Sequence, residues 1–190
     1  MKIFCLGDSN TYGYDPRSYF GGRYPAQYRW VDLLAKRLGC ETINGGENGR
    51  KIPKREEELL RFECMLTSQS PVDLLIVVLG TNDLLQGDSA EAVAARMESF
   101  LGRIALDKSR ILVIGPPPVQ PGEWVSSQEL IDASIALNRE YKGLSERLGV
   151  EFADAGEWDI SLAFDGVHFT EEGHRIFAQQ LAAILPDLFA

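Results

Sequence analysis

Short apolar segments rich in β-branched residues alternate with longer segments of helical periodicity, and this alternation limits the fold more than any other feature of the sequence. Strands that alternate with helices are typical of a parallel sheet whose two faces are covered by helices. Residues 74–79 (Leu-Leu-Ile-Val-Val-Leu) lack alternating polar residues, as expected of a central strand buried on both faces. The sequence therefore predicts an α/β fold, a three-layer α/β/α sandwich around a five-stranded parallel sheet.

The positions of the predicted elements follow from the apolar spacing. Strands are expected at residues 2–6, 41–44, 73–79, 110–114 and 150–154. Helices are expected around residues 30–38, with a stop at Gly39, and more weakly over residues 54–66. A third is expected around residues 93–104 with Asp88 as its N-cap, and a fourth after the capping-box pattern of Ser126 and Glu129. The last is expected from near Thr170 to Pro186.

Composition narrows the classes of function. A length of 190 residues with 45% hydrophobic residues predicts a single domain over residues 1–190. The formal net charge of -9 disfavours nucleic acid and anionic membrane surfaces as partners. The first eight residues hold too short an apolar run for a signal peptide, and no later segment has membrane-spanning length, so a cytoplasmic location is expected.

The three cysteines predict neither a metal site nor a disulfide framework. Cys5, Cys40 and Cys64 are odd in number and show no CxxC spacing. Cys5 also lies within a predicted strand. We therefore expect buried, unreactive thiols.

The first predicted strand runs directly into Gly7, Asp8 and Ser9. Because right-handed crossovers collect the loops that follow parallel strands at one edge of the sheet, a hydroxyl at this point would lie at the mouth of the ligand crevice. Taken alone, Ser9 is more simply interpreted as a helix N-cap, since serine is favoured at that position. The nucleophile hypothesis needs support from elsewhere in the chain.

That support comes from one of the two histidines. His168 follows Asp165 by three residues in a loop that contains Gly166, so the carboxylate can accept the Nδ1 proton and leave Nε2 as a base. His174 lies in the last predicted helix without such a neighbour, and we assign it a surface or structural role.

Two further segments follow strands at the same predicted edge. Asn82 comes directly after the central strand and could cap a turn or donate its amide to a developing oxyanion. Residues 44–50 (Asn-Gly-Gly-Glu-Asn-Gly-Arg) hold glycines whose N–H groups could approach a ligand, and spacing alone does not separate Gly46 from Gly49. A phosphate-binding loop is not indicated, because neither a Walker ending nor a GxGxxG opening is present.

These four segments occur in the order typical of the SGNH (GDSL) hydrolase family, which the chain resembles from Phe4 to His168. Within that family it looks most like the intracellular arylesterase and acyltransferase branch. The segments that carry this likeness are residues 6–13, Arg29 with Trp30, and residues 79–83, 114–118 and 152–156. The resemblance implies a flavodoxin-like sandwich and an esterase that needs no metal or organic cofactor.

Carried over residue by residue, the resemblance implies roles for the residues of each segment. Ser9 would be the nucleophile, His168 the general base and Asp165 its orienting acid. The oxyanion hole would combine the Ser9 N–H, the Gly49 N–H and the Asn82 side chain, with Gly46 as the alternative glycine. Substrate-binding positions would be Asp8, Asn10, Tyr12, Thr81 and Val167. Asn10 departs from the branch, which often carries Ser or Leu there, and this leaves the alcohol side of the pocket open.

The sequence predicts ester hydrolysis through an acyl-enzyme, with acyl transfer where an alcohol replaces water. The substrate would be a small ester. Short acyl chains are expected, because no insertion is long enough to form an apolar lid. Alternatives are a carbohydrate O-deacetylase, a thioesterase or lysophospholipase, and, from another class, a flavodoxin-like module that binds a small ligand without chemistry.

Aromatic residues in the predicted loops are candidates for the pocket wall. About half of them would instead cover the core or an interface of a homo-oligomer. They are Tyr12, Tyr14, Tyr19, Phe20, Trp124, Trp158 and Phe164.

Overall fold

The computed structural model describes residues 1–18 and 20–188, and the predicted pocket residue Tyr19 lies outside them. Five parallel strands form one sheet in the order β2-β1-β3-β4-β5. They are β1 (Lys2–Gly7), β2 (Glu41–Gly46), β3 (Leu74–Val78), β4 (Ile111–Gly115) and β5 (Glu151–Asp154). The predicted α/β sandwich with a five-stranded parallel sheet is confirmed.

Helices follow the strands in the predicted alternation. They are α1 (Ser9–Tyr12), α2 (Trp30–Leu38), α3 (Glu56–Ser68), α4 (Thr81–Leu85), α5 (Ala90–Arg103), α6 (Gln128–Leu148) and α7 (Glu171–Leu188), with short 3-10 turns at Ala26–Tyr28, Lys108–Arg110 and Ala155–Glu157. None of the helices in the described ranges is long and apolar enough to cross a membrane.

The core lies in two layers, because successive side chains of a strand point to opposite faces of the sheet. In β1, Phe4 and Leu6 pack on the layer of α3, α5 and α6, whereas Ile3 and Cys5 pack on the layer of α2 and α7. β3 is buried at every position, as the apolar run at 74–79 predicts. The sheet is thus covered on both faces, and its carboxyl edge carries the candidate site.

Several predicted helix ends differ from those in the structure. Ser89, not Asp88, caps α5 by accepting a hydrogen bond from the Ala92 N–H at 3.3 Å, while the Asp88 carboxylate binds Arg96 at 2.9 Å. The predicted capping box at Ser126 does not form, since α6 begins after Ser127 without a side-chain cap. At the start of α5, the sequence offered two adjacent capping residues, and Asp88 binds Arg96 of the same helix instead of capping it.

The last helix continues to Leu188, so its predicted end at Pro186 is wrong. Pro186 lies inside the last turn, where it removes one N–H from the helix, yet the helix continues for two more residues. The expectation of buried thiols is also wrong in part. Cys5 is buried, but Cys40 is half-buried and Cys64 is exposed, because it lies on the outer side of α3.

Candidate active site

Ser9 lies at the carboxyl edge of the sheet because β1 turns into α1 with almost no connecting chain. A Cβ on Gly7 would lie 1.9 Å from Thr11 Oγ1 and 3.0 Å from the Val78 carbonyl oxygen, so only glycine permits this turn. The Asp8 carboxylate caps α1 by accepting a hydrogen bond from the Asn10 N–H at 3.0 Å. Asp8 is therefore the N-cap, and the alternative that Ser9 serves as the cap is wrong.

Ser9, His168 and Asp165 form a continuous chain of hydrogen bonds. The Ser9 Oγ lies 3.0 Å from His168 Nε2, and His168 Nδ1 lies 2.7 Å from Asp165 Oδ2. An Nδ1 that donates to a carboxylate leaves Nε2 as the acceptor for the serine hydroxyl. The histidine is 3% exposed and the aspartate 1% exposed, so water competes little for these bonds. The arrangement can move a proton from Ser9 to His168.

The second oxygen of Asp165 shapes the loop that carries His168. Asp165 Oδ1 accepts hydrogen bonds from the backbone N–H groups of Val167 and His168, each at 2.9 Å. One carboxylate therefore fixes both the imidazole and the backbone that bears it.

A second loop, residues 119–125, packs against the outside of the histidine loop. The Gln120 N–H donates to the Gly166 carbonyl at 2.9 Å, and the Trp124 N–H donates to the Asp165 carbonyl at 3.1 Å. Gly166 has a φ of +79°, and a Cβ there would lie 2.0 Å from the Gln120 oxygen. The close approach of the two loops thus requires glycine at position 166.

Two of the candidate pocket aromatics contact the imidazole. The rings of Tyr14 and Trp124 lie 4.6 and 4.9 Å from the His168 ring, and Trp124 remains 54% exposed. Trp158 instead packs on Phe177 in the core, as expected for some of these residues. Tyr12 lies under the Arg23 guanidinium, while Phe20 and Phe164 are exposed.

The two candidate glycines of the second segment have different surroundings. The Gly46 N–H donates to the Asn44 side chain at 3.0 Å, and a Cβ on Gly46 would lie 2.1 Å from the Tyr12 nitrogen. Gly49 is exposed, has a φ of +71° and has no atom within 4 Å of its Cβ position. Gly46 is therefore used in packing against α1, whereas Gly49 borders open space.

Asn82 is joined to this second segment. It lies in the first turn of α4, and its Nδ2 donates to the Arg50 carbonyl oxygen at 3.1 Å. One N–H of the amide is thereby held and the other remains to donate elsewhere. The structure brings Asn82 and the Gly49 segment together.

Sequence reasoning gave no role to the charged residues that support this edge. The Arg50 guanidinium donates to the Gly7 carbonyl at 3.2 Å and to Glu47 at 2.7 Å. Asp83 is fully buried, where it binds Arg96 and accepts a hydrogen bond from the Ile52 N–H at 3.2 Å. Burial raises the pKa of the Asp83 carboxyl. Their one sequence signal was adjacency to the Gly49 and Asn82 segments.

Most of the expected substrate-binding residues are buried with internal partners. Asp8 caps α1, and its burial raises the pKa of the carboxyl to about 6.

Both ends of the Asn10 amide bind backbone groups of the histidine loop. Thr81 is buried at the start of α4, and the Val167 side chain packs with Val119 and Val125. These contacts argue for support of the site rather than for contact with substrate, and only Tyr12 of this set is partly exposed.

His174 is fully buried, which excludes the surface alternative for it. Its Nδ1 accepts a hydrogen bond from the Trp30 N–H at 3.3 Å, and its Nε2 has no hydrogen-bond partner among the described residues. Burial lowers the pKa of this imidazole to about 3. His174 is a neutral core residue.

A cavity of about 350 Å³ lies beside the candidate site rather than in it. Its lining includes Gly49, Arg50 and Phe62 but not Ser9 or His168. Within the described ranges, no three His, Cys, Asp or Glu side chains are grouped so that they could hold a metal ion.

The sequence and the fold of this chain are both similar to those of known proteins. The sequence matches the model of the GDSL-like lipase/acylhydrolase family over residues 5–176. No curated protein sequence matches it. Among solved structures, the aryl esterase of M. smegmatis is similar with a TM-score of 0.86 and 26% identity, over 98% of this chain and 99% of that chain.

Two further solved structures are similar over the same extent. The carbohydrate acetylesterase Est24 from Sinorhizobium meliloti has a TM-score of 0.86 and 27% identity, over 99% of both chains. A candidate arylesterase from Agrobacterium tumefaciens str. C58 has a TM-score of 0.86 and 29% identity, over 98% of this chain and 99% of that one.

Proposed function

Because this chain belongs to the GDSL-like lipase/acylhydrolase family and is an ester-hydrolysing enzyme, we propose that it cleaves short-chain acyl esters through an acyl-enzyme formed on Ser9. One observation carries the assignment of the nucleophile. The hydrogen bonds from Ser9 through His168 to Asp165, at 3.0 and 2.7 Å, supply a hydroxyl, a base and an orienting carboxylate in the order that nucleophilic catalysis needs.

In the proposed first step, Ser9 Oγ attacks the ester carbonyl carbon as His168 Nε2 takes the hydroxyl proton. The carbonyl oxygen becomes an oxyanion, and the imidazolium is stabilised by Asp165. Collapse of this intermediate breaks the bond to the alcohol oxygen, which leaves with the proton from His168. Water then repeats the sequence on the acyl-enzyme, releases the acid and regenerates Ser9.

The oxyanion would be stabilised by the N–H groups of Ser9 and Gly49 and by the Asn82 amide. Ser9 begins α1, and the first N–H groups of a helix have no partner within the helix. Gly49 is favoured over Gly46, because the Gly46 N–H already donates to Asn44. The bond from Asn82 to Arg50 would hold the amide in place, so that these donors need little reorganisation as charge develops.

A small acyl group is favoured by the construction of the site's rim. Residues 119–125 lie tightly against the histidine loop, where Gly122 allows no side chain, since a Cβ there would meet the Asp165 backbone at 2.4 Å. The rim rings at Tyr14 and Trp124 then stand directly against the imidazole. Each methylene stabilises a bound chain by about 0.8 kcal/mol only where a groove buries it.

A second candidate substrate is an O-acetylated sugar. Trp124 offers a half-exposed ring beside His168, and an exposed indole face can pack against a sugar ring. The similar structure of a carbohydrate acetylesterase supports this candidate. Both candidates share the acetyl group and the Ser9 chemistry, and they differ in the alcohol.

The proposal is tested with a series of p-nitrophenyl esters from acetate to decanoate, beside an acetylated sugar and an acyl thioester. We expect kcat/KM to be highest from acetate to butyrate and to be unchanged by EDTA. A steady rise through decanoate would reject the short-acyl proposal in favour of a lysophospholipase or long-chain thioesterase. Higher kcat/KM for the acetylated sugar than for p-nitrophenyl acetate would favour the O-deacetylase.

From the sequence we also expect a single domain over residues 1–190, a cytoplasmic location and a contact between copies in a homo-oligomer. Sedimentation of the purified protein tests the last of these, and the exposed aromatics Phe20 and Phe164 are the side chains we expect at such a contact.

A further inference from the structure

We propose that Asn10 is a positioning residue that holds the histidine loop in register with the serine turn. The proposal rests on the proposed function, because it concerns the alignment of His168 with Ser9. It assigns a use to the one position at which the chain departs from the family pattern in its first segment.

Asn10 binds the backbone on both sides of His168. Its Nδ2 donates to the Val167 carbonyl oxygen at 3.1 Å, and its Oδ1 accepts from the Phe169 N–H at 2.9 Å. A carbonyl can only accept and an N–H can only donate, so the orientation of the amide is fixed by its partners. The residue is 7% exposed and adjoins Ser9 in α1.

Few other bonds connect the serine turn to the histidine loop. Between residues 8–14 and 163–170, the described part of the chain shows three hydrogen bonds, and two of them are those of Asn10. The third is the Ser9 to His168 bond that the reaction itself must break and remake. Residues 119–125 hold the histidine loop from its other side but do not connect it to α1.

Asn10 therefore sets the distance across which the proton must move. The backbone N–H of Asn10 is itself fixed by the Asp8 carboxylate at 3.0 Å, so the side chain starts from a rigid point. Removal of the amide leaves the Val167 carbonyl and the Phe169 N–H without partners in a buried place. The loop would shift to find other partners, and a displacement of about 1 Å between reacting groups can lower a rate about 10²-fold.

The direct test is Asn10→Leu, which keeps the approximate size of the side chain and removes both hydrogen bonds. We expect kcat for p-nitrophenyl acetate to fall about 10²-fold with KM changed less than about threefold, because the amide faces the loop and not the substrate. The rate of fluorophosphonate reaction at Ser9 should fall in parallel.

Asn44→Leu is the matched control. Asn44 also ties α1 to a neighbouring element, since its Nδ2 donates to the Thr11 carbonyl at 2.8 Å and its Oδ1 accepts from the Gly46 N–H at 3.0 Å. Its loss should lower stability by an amount similar to that of Asn10→Leu, with kcat retained within about threefold. Equal losses of kcat in the two variants would overturn the proposal, because they would show a general loosening of α1.

Asn10→Asp gives a readout that a purely structural role would not move. An aspartate can still accept from the Phe169 N–H, but only its protonated form can donate to the Val167 carbonyl. The ratio of its kcat/KM to that of the wild type should rise as the pH is lowered, while the ratio for Asn10→Leu stays flat. Asp8, Asp165 and His168 lie nearby, and a new carboxylate at position 10 would favour the charged imidazolium of His168 over the neutral base. That effect lowers kcat/KM as the pH falls, so a rise in the ratio at low pH has to come from the regained donor.

The outcomes separate this proposal from the proposed function. An inactive wild type would reject the proposed function without reference to Asn10. An active wild type with Asn10→Leu folded and within threefold in kcat would overturn the role of Asn10. Should Asn10→Leu not fold, a flat ratio for Asn10→Asp across pH would overturn it.

Discussion

The two histidines of this chain are both buried and both contact aromatic rings, yet their hydrogen-bond partners differ. His168 is 3% exposed in a loop, with a carboxylate 2.7 Å from Nδ1 and a serine hydroxyl 3.0 Å from Nε2. His174 is 0% exposed in α7, where a backbone N–H donates to Nδ1 and Nε2 has no partner among the described residues.

The difference shows that burial does not make a histidine a base. His174 lies in an apolar layer with Tyr24 and Phe169, whose rings are 5.4 and 5.3 Å away, and burial lowers its pKa to about 3. Among the described residues, no carboxylate binds this ring, and the positive charge of Arg29 further disfavours a charged imidazole. At His168, Asp165 supplies a counterion and also fixes the orientation of the ring. The ability of His168 to act as a base for Ser9 therefore depends on Asp165, which precedes it by three residues.

The largest expected effect comes from exchanging each histidine for glutamine. His168→Gln should lower kcat by a factor on the order of 10⁴–10⁶, since the base is removed, with little change in unfolding. His174→Gln should retain kcat within about threefold but lose about 1–3 kcal/mol of stability, because a buried ring is lost from the core. Steady-state kinetics and urea unfolding of both variants measure the loss of kcat and the loss of stability. Comparable losses of kcat in the two would remove the distinction between them.

A smaller effect is expected at Asn82, one of the proposed hydrogen-bond donors to the oxyanion. If His168 serves a reaction in which charge develops on the ester oxygen, then Asn82→Ala should lower kcat about 10²–10³-fold with a smaller change in KM. The kinetics of this variant on p-nitrophenyl acetate provide the measurement. A raised KM at unchanged kcat would instead make Asn82 a substrate-binding residue.

How far the sequence could predict this site depended on the range of the interactions. The strands and the order of the catalytic segments were predictable, because apolar runs and short motifs such as residues 165–168 are local patterns. Asn10 was expected to bind substrate, but its amide binds residues 157 and 159 positions away, and no local pattern reports contacts of that separation. Asp8 was missed for a different reason. Its bond is local, but Asp8 and Ser9 are both favoured N-cap residues, and the sequence does not say which of them precedes the helix.

The same limit explains the residues around His174. Its helix was predicted, but its burial depends on how α7 packs on α2, which brings Trp30 to Nδ1. Likewise Arg50 was visible in the sequence beside Gly49, yet its bond to the Gly7 carbonyl arises only when β1 and β2 pair. Tertiary packing selected the roles of these residues from several that their types allowed.

The smallest effect is expected in the pH dependence of stability. Burial lowers the pKa of His174 from 6.5 to about 3. At a pH between these two values, the ring is neutral in the folded chain and takes up a proton when the chain unfolds. The stabilising contribution of the neutral ring is therefore complete above pH 6.5 and is lost as the pH falls through that range. The loss amounts to at most about 1.4 kcal/mol per pH unit.

Unfolding by urea between pH 7.5 and about pH 5, for wild type and His174→Gln, measures this contribution. Asp8 acts in the opposite direction, since burial raises its pKa from 3.8 to about 6 and the folded chain then holds the extra proton. Because Asp8 is present in both proteins, its contribution cancels in the difference between their free energies of unfolding. The stability advantage of wild type should shrink as the pH falls, and a constant difference would show that His174 titrates normally.

The central claim, that His168 and not His174 activates Ser9, is tested most directly by fluorophosphonate labelling. The modified residue is identified by peptide mass spectrometry, and labelling rates are compared among wild type, Ser9→Ala, His168→Gln and His174→Gln. We expect one label per chain on Ser9, none in Ser9→Ala, a rate lower by at least about 10³-fold in His168→Gln and an unchanged rate in His174→Gln. Labelling of a residue other than Ser9, or equal rates in wild type and His168→Gln, would contradict the role of His168.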